Sequence, residues 1–189
     1  CLNKKKHLTD EIVLIEHLKN VQTREKAFRE LISLYKERLY WHIRKIVISH
    51  DDADDVLQNT FIKVYKNIGK FNQKSKLYSW MYRIATNESL TFINTRAKER
   101  NVDISEMHEQ LASSLESDVY FSGDEIQQIL QKAIATLPQK QRLVFNMKYF
   151  DEIKYHEMSE ILETSVGALK ASYFHAVKKI ENYIKNKTD

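Results

Sequence analysis

Apolar residues along this chain recur every three or four positions, and strict alternation is nowhere sustained, so the pattern predicts helices throughout. Thr9 precedes Asp10, Glu11 and the apolar run IVLIEHL, which predicts a first helix capped at Thr9 with acids at its positive end. From about Arg24, the positions Ala27, Phe28, Leu31, Leu34, Tyr35, Leu39, Ile43 and Ile46 trace one face of a longer helix that ends near Ser49. The segment SHDDADDVLQNTFIKVYKNIGKF then opens on acids and buries Ala53, Val56, Leu57, Thr60, Phe61, Val64 and Ile68. Its other face carries Asp55, Gln58, Asn59, Ile62 and Lys66, and Gly69 ends it.

After Gly69 comes an irregular polar loop, GKFNQKSKLYSW, and then a helix in which Leu77, Trp80, Met81, Ile84 and Ala85 alternate with Tyr78, Tyr82, Arg83 and Asn87. Aromatic, basic and amide side chains interleave over this stretch. Such a set suits single-stranded DNA, because bases stack on aromatic faces while Lys and Arg follow phosphates. Trp80 at helical spacing also has a plain reading as a core residue. A four-Asp cluster at 51–55 is read as helix capping rather than as a metal site, since it lacks spaced ligands and His partners.

Beyond a stretch without periodicity at 101–124, IQQILQKAIATL predicts a helix ending before Pro138, and further helical patterning leads to YHEMSEILETSVGALKASYFHAVKKI. Here Met158, Ile161 and Leu162 stripe one short helix, and Leu169, Tyr173, Val177 and Ile180 stripe a second. Thr164 or Ser165 can cap the second helix across a short turn, which makes a helix-turn-helix. The second helix would present Ser165, Ala168, Lys170, Ala171, Ser172 and His175, followed by Lys178 and Lys179, a face able to enter a major groove. Two amphipathic helices meeting at a turn in any small bundle would show the same local pattern.

With 42% hydrophobic and 30% charged residues, the 189-residue chain can bury one or two cores. Three glycines and one proline leave little turn chemistry, in keeping with an all-α fold class. A single Cys excludes an internal disulfide and a Cys-based zinc site, and no apolar run is long enough for a membrane span. The chain opens at Cys1, read as a trimmed start in preference to the modified first cysteine of a lipoprotein, because nothing downstream looks extracellular.

Charge sharpens the division. Residues 1–100 hold 20 Lys+Arg against 12 Asp+Glu, residues 101–124 hold none against 6, and residues 125–189 hold 10 against 8. Two basic bodies flanking an acidic linker point to a polyanion partner for the bodies and a different partner for the linker. The expected domains are therefore 1–100, a flexible linker 101–124, and 125–189.

Two separated stretches resemble one family, the bacterial sigma factors of the extracytoplasmic-function (ECF) group in the sigma-70 family. DDADDVLQNTFIKVYKNIGKFNQKSKLYSWMYRIATN is similar to that family's second region, and LPQKQRLVFNMKYFDEIKYHEMSEILETSVGALKASYFHAVKKI to its fourth, in the family's order and spacing. The resemblance implies a cytoplasmic, dissociable transcription initiation factor with no cofactor, no metal and no catalytic activity. Its implied partners are RNA polymerase core, at the clamp and flap, and promoter DNA in double- and single-stranded form, with an anti-sigma factor as a further candidate.

By the same resemblance Asp55, Gln58 and Asn59, with Ile62 on their face, lie on the helix that docks to the clamp. The loop Phe71–Tyr78 captures a base flipped from the non-template strand, with Asn72, Gln73, Ser75 and Lys76 as polar contacts and Tyr78 or Trp80 as the aromatic wall. Arg83 and Asn87 touch the downstream promoter element. The helix Val166–Val177 reads the upstream element, and the linker threads toward the polymerase cleft.

The chain departs from the family at Asn59, where an acid is usual, at Glu163, where Gly is common, at Thr164, where an apolar residue is usual, and at Ser172, often basic. Glu163 predicts a turn that either avoids a left-handed residue or is strained. An alternative function is a free-standing helix-turn-helix regulator acting without polymerase, which would not need the Asp55 face and its basic loop. An enzyme is disfavoured, because no nucleophile–base pair, Gly-rich phosphate loop or metal-ligand spacing is present.

Overall fold

The computed structural model describes residues 2–104, 106–107 and 125–188, and every regular element among them is helical. The elements are α1 (Leu2–Lys19), α2 (Arg24–Val47), α3 (His50–Asn67), a short 3₁₀ turn (Ile68–Lys70) and α4 (Leu77–Arg100) in the first half. The second half holds α5 (Glu125–Ala135), α6 (Gln139–Tyr149), α7 (Tyr155–Leu162) and α8 (Val166–Thr188).

The predicted apolar face of α3 is buried in full, from Ala53 to Ile68, while Asp55, Gln58, Asn59 and Ile62 are exposed. Ser49 caps this helix by accepting from the Asp52 N–H. Asp52 is itself buried against Arg96 of α4, so the acidic cluster ties two helices as well as opening one. Helix α2 keeps Leu31, Leu39 and Ile43 inside but leaves Leu34 59% exposed, at the edge of its stripe.

Two boundaries differ from expectation. Helix α1 begins at Leu2, so Thr9 lies within it and is not its cap. Residues 101–107 were expected to belong to the linker, yet the chain turns at Asn101, which adopts a left-handed conformation, and Met107 is buried in the core beside half-buried Val102 and Ile104. Apolar residues spaced two or three apart after a helix end can fold back onto a core without showing helical periodicity. The remainder of the expected linker, 108–124, lies outside the described residues.

The main core joins the two halves. Leu14, Ile15 and Leu18 of α1 and the inner faces of α2, α3 and α4 pack together, and the same cluster continues through Leu143, Val144 and Met147 of α6 to Met158 and Ile161 of α7. Burying each such side chain is worth about 1.5–3 kcal/mol. A second, smaller core within the second half gathers Ala133, Ile134, Leu137, Phe145, Ala176 and Ile180. Arg142 is buried beside it and donates to the Ala135 carbonyl; desolvation pushes its guanidinium down to about 10.

Scarce glycine leaves its mark on the corners. Ile48, Gln73, Asn101, Glu152 and Glu163 all take positive φ. Residues with a Cβ pay for that conformation, the β-branched Ile48 most of all, so these turns persist only because packing on either side dictates them.

Candidate nucleic-acid interface

Helix α3 exposes Asp55, Gln58, Asn59 and Ile62 on one face, as its periodicity requires. Beside them an apolar groove runs between α2 and α3, lined by Phe28, Ile32, Leu57, Phe61, Ile62 and Tyr65. Phe28 meets Tyr65 edge to face at 5.0 Å. The polar strip thus borders a surface with aromatic and aliphatic anchors, the composition of a protein-docking site. The sequence pattern missed Phe28, Ile32 and Tyr65 as surface residues, because they share the periodicity of the core.

At the start of α4, Lys76, Trp80, Arg83 and Asn87 fall at i, i+4, i+7 and i+11 and so occupy one face of the helix. Asn87 is exposed, Trp80 and Arg83 are half-buried, and Trp80 leans on buried Phe71 with ring centroids 5.1 Å apart. The preceding loop holds Asn72 and Gln73 exposed and Ser75 half-buried, and Asn72 Oδ1 accepts from the Lys74 N–H. Lys76 gives α4 no side-chain cap; instead Glu11 of α1 accepts from the Leu77 N–H at 2.9 Å.

Tyr78 faces away from this strip. Its hydroxyl accepts from Arg38 at 3.0 Å, the Arg38 guanidinium lies 4.4 Å from its ring centroid, and its ring is 4.3 Å from that of Tyr82. Burial pushes the phenols of Tyr78 and, far more, Tyr82 above their usual values. The structure therefore brings Trp80, not Tyr78, to the Arg83 and Asn87 face. Tyr82, expected on the polar side, is wholly buried.

In the helix-turn-helix, Met158 and Ile161 are buried on α7 and Leu169, Ala176 and Ile180 on α8. Of the two candidate caps, Ser165 is the one that acts, accepting from the Ala168 N–H at 3.3 Å; Thr164 donates to the Leu162 carbonyl instead. Glu163 takes φ 50° and ψ 41°, the strained left-handed option. Outward from α8 stand Ser165, Ala168, Lys170, Ala171, His175, Lys178 and Lys179, with Ser172 half-buried. Phe174 is 54% exposed in the middle of this face, with the Lys178 ammonium 4.7 Å from its ring centroid. Lying four residues from both Lys170 and Lys178, it shares their outward face, although the sequence reading did not name it.

Between the two halves runs a polar seam. Lys76 Nζ donates to Glu157 at 2.6 Å, Arg83 donates to the Glu163 carboxylate at 3.0 Å and also to the Glu160 carbonyl. The hydrogen bond to Glu157 raises the Lys76 ammonium. Burial would raise the Glu157 carboxyl, but Lys76 outweighs it and holds the group below its usual range. Deeper in, Asp151 accepts from His42 Nδ1 at 3.0 Å and from Lys45 at 2.5 Å. Among the described residues no group of three or more His, Cys, Asp or Glu could hold a metal ion, and no helix is long and apolar enough to cross a membrane.

Comparison with known proteins follows the same two halves. Residues 31–99 match the Sigma-70 region 2 model, and residues 127–180 match that of Sigma-70, region 4. The ECF RNA polymerase sigma factor SigW of Bacillus subtilis is 30% identical over 170 residues, covering 85% of this chain and 90% of that protein. The ECF RNA polymerase sigma-E factor of Haemophilus influenzae is 28% identical over 188 residues, covering 94% and 96%. In fold, the sigma factor RpoE from Bartonella quintana, solved in complex with the anti-sigma factor NepR, superposes with a TM-score of 0.65 at 20% identity, covering 85% of this chain and 98% of that one.

Proposed function

We propose that three surfaces of this chain, which belongs to the sigma-70 family as an ECF sigma factor and directs promoter-specific transcription initiation by RNA polymerase, divide that task between them. The outer face of α3, with Asp55, Gln58, Asn59 and Ile62 beside its apolar groove, docks on the clamp of core polymerase. The loop Asn72–Lys76 and the α4 strip of Trp80, Arg83 and Asn87 take the downstream element and its opened strand. The outward face of α8 enters the major groove of the upstream element, with Lys170, Lys178 and Lys179 on phosphates and Ala168, Phe174 and His175 nearest the bases. Ser165 is committed to capping α8 and so serves by orienting it.

The observation that carries the reading is the α4 strip. One helical face combines two cations, an indole and an amide next to a polar loop, and the same chain carries a second DNA-reading helix. Opening a base pair without ATP costs a few kcal/mol, which stacking on Trp80 at about 1–3 kcal/mol per base and a phosphate contact from Lys76 would offset. The chain works in this reading by binding alone, in the cytoplasm with the polymerase, and residues 108–124 join a region 2 domain, which extends to the buried Met107, to a region 4 domain at 125–189.

Run-off transcription with purified core polymerase and a promoter library tests the assignment. Discrete start sites that depend on the added protein are expected, and core binding should be lost in Asp55→Lys, Gln58→Lys with helicity unchanged. Duplex binding without core binding or transcripts would favour the free-standing regulator.

A further inference from the structure

Helix α1 carries Glu11, Leu14, Ile15 and Leu18 at i, i+3, i+4 and i+7, so a carboxylate stands in line with three buried apolar residues. Its partner is a backbone group. Glu11 accepts from the Leu77 N–H at 2.9 Å, across 66 residues, at the first turn of α4. That turn holds no acid, and Lys76 at its cap position supplies no side-chain bond, so α4 has no cap from its own sequence. The first N–H groups of a helix lack internal partners and its positive end favours an anion, which is what Glu11 provides. Helix α1 also packs against the 3₁₀ turn Ile68–Lys70, which leads into the loop before α4. The Phe71 N–H then bonds the Ile68 carbonyl at 3.1 Å, and Phe71 is buried against the Trp80 ring. Both ends of the loop 71–76 therefore rest on α1. The helix is itself fixed at its far end, where the Thr23 hydroxyl donates to the His17 carbonyl and Arg24 donates to those of Leu18 and Lys19.

We propose that Glu11 is a positioning residue for strand opening: it fixes the start of α4 through the Leu77 N–H, and α1 thereby holds the loop 71–76 ready-formed for the displaced base. Glu11 acts only through the loop. What the loop does rests on the function proposed above; the tether rests on the contacts alone. Within the loop, Gln73 takes φ 58° and Asn72 Oδ1 accepts from the Lys74 N–H, a shape with one strained residue that anchors at both ends maintain. A loop ordered in the free protein loses no further conformational freedom when the base arrives, so a preformed pocket binds that base more tightly than a slack one. Docking of α3 on polymerase and entry of α8 into duplex DNA use other surfaces, and both should be indifferent to Glu11.

The test compares the full chain with Glu11→Ala, with Glu11→Gln, which keeps a carbonyl acceptor without the charge, and with Asp10→Ala, which removes a neighbouring exposed carboxylate. Hydrogen exchange over residues 71–80 of the free protein, read by mass spectrometry, reports on the tether. Initiation rates with core polymerase, on a fully duplex promoter and on one mismatched across the downstream element, report on the function. Glu11→Ala should exchange faster over 71–80 and initiate about tenfold more slowly on the duplex promoter, the equivalent of one hydrogen bond, with near-parental rates on the mismatched one. Glu11→Gln should recover most of the duplex rate, and Asp10→Ala should behave as the parent. Core affinity and helicity should be unchanged throughout. Unaltered exchange in Glu11→Ala overturns the tether. An unchanged duplex rate, equal losses on both templates, lost helicity or core binding, or a Glu11→Gln variant as slow as Glu11→Ala each overturn the positioning role. A failure of the unaltered protein to support transcription would count against the assigned function, whereas hydrogen exchange decides the tether without polymerase or DNA.

Discussion

His42 of α2 places its Nδ1 3.0 Å from the Asp151 carboxylate, across a sequence separation of 109 residues. Its other nitrogen lies 2.8 Å from the Thr86 hydroxyl, which in turn donates to the Tyr82 carbonyl at 2.8 Å. The ring thereby ties α2 both to α4 and to the turn that carries Asp151. Lys45 completes the set on the second Asp151 oxygen.

A buried charge-assisted pair should show coupling that an exposed one does not. A double-mutant cycle on His42→Gln and Asp151→Asn, measured by urea unfolding, should give a coupling of about 1–3 kcal/mol. The pair Arg83 and Glu163, whose carboxylate side is 75% exposed, should give no more than about 1 kcal/mol. Equal couplings would mean that the Asp151 site does not dominate the seam.

The seam should also weaken in acid. Burial would raise the Asp151 carboxyl, but the His42 hydrogen bond and the charges of His42 and Lys45 outweigh it, and the group lies below its usual value. Glu157 is lowered likewise by Lys76, with His156 beside it, while Glu11 and Glu160 add to the field around Lys76 and the Tyr82 ring borders Asp151. A lowered carboxyl contributes stability that is fully present above the ordinary carboxyl range and is lost as pH falls through the folded value. The radius of gyration should therefore grow as pH drops below about 4, ahead of the loss of helical circular dichroism. Expansion only at the pH where helicity collapses would contradict this.

Limited proteolysis should respect the buried Met107. The stretch 101–124 has no Lys or Arg, so trypsin cannot report on it, but a Glu-specific protease can. Cleavage is expected after Glu109 and Glu116 before Glu106, which neighbours Met107 in the core, and should leave two resistant fragments. Early cutting at Glu106 would show that 101–107 is not held.

The loop before α4 should matter for opening DNA and for nothing else. Replacing Asn72–Lys76 by a Gly-Ser segment should leave core binding intact and abolish transcription from fully duplex promoters. Activity should return on templates mismatched across the downstream element, because the unstacking cost is then absent. Undiminished permanganate reactivity of promoter thymines with the loop variant would make this segment a connector only.

Much of the fold was legible because it is local. The inner and outer faces of α3 separate residue by residue as the spacing requires, and the stripes of α7 and α8 place their cores where the sequence puts them. Which apolar residues would line a surface was not legible: Leu34 lies on the apolar stripe of α2 and Tyr65 at the edge of that of α3, yet they are 59% and 38% exposed. Periodicity orients a side chain about its own helix, but only the neighbouring helix decides whether that side is covered.

The sequence by itself determined eight helices' worth of apolar stripes among the described residues, a helix-turn-helix, a basic loop before α4 and an uneven charge distribution. Tertiary structure alone decided that Glu11 caps α4, that Tyr78 turns to Arg38 while Trp80 keeps the strip, and that Asp151, Glu157 and Glu163 close on His42, Lys45, Lys76 and Arg83. Helical spacing is written within about four residues, because backbone hydrogen bonds reach no further. Contacts between residues 40 to 109 apart depend instead on which apolar faces bury one another best, and that choice belongs to the whole packed chain.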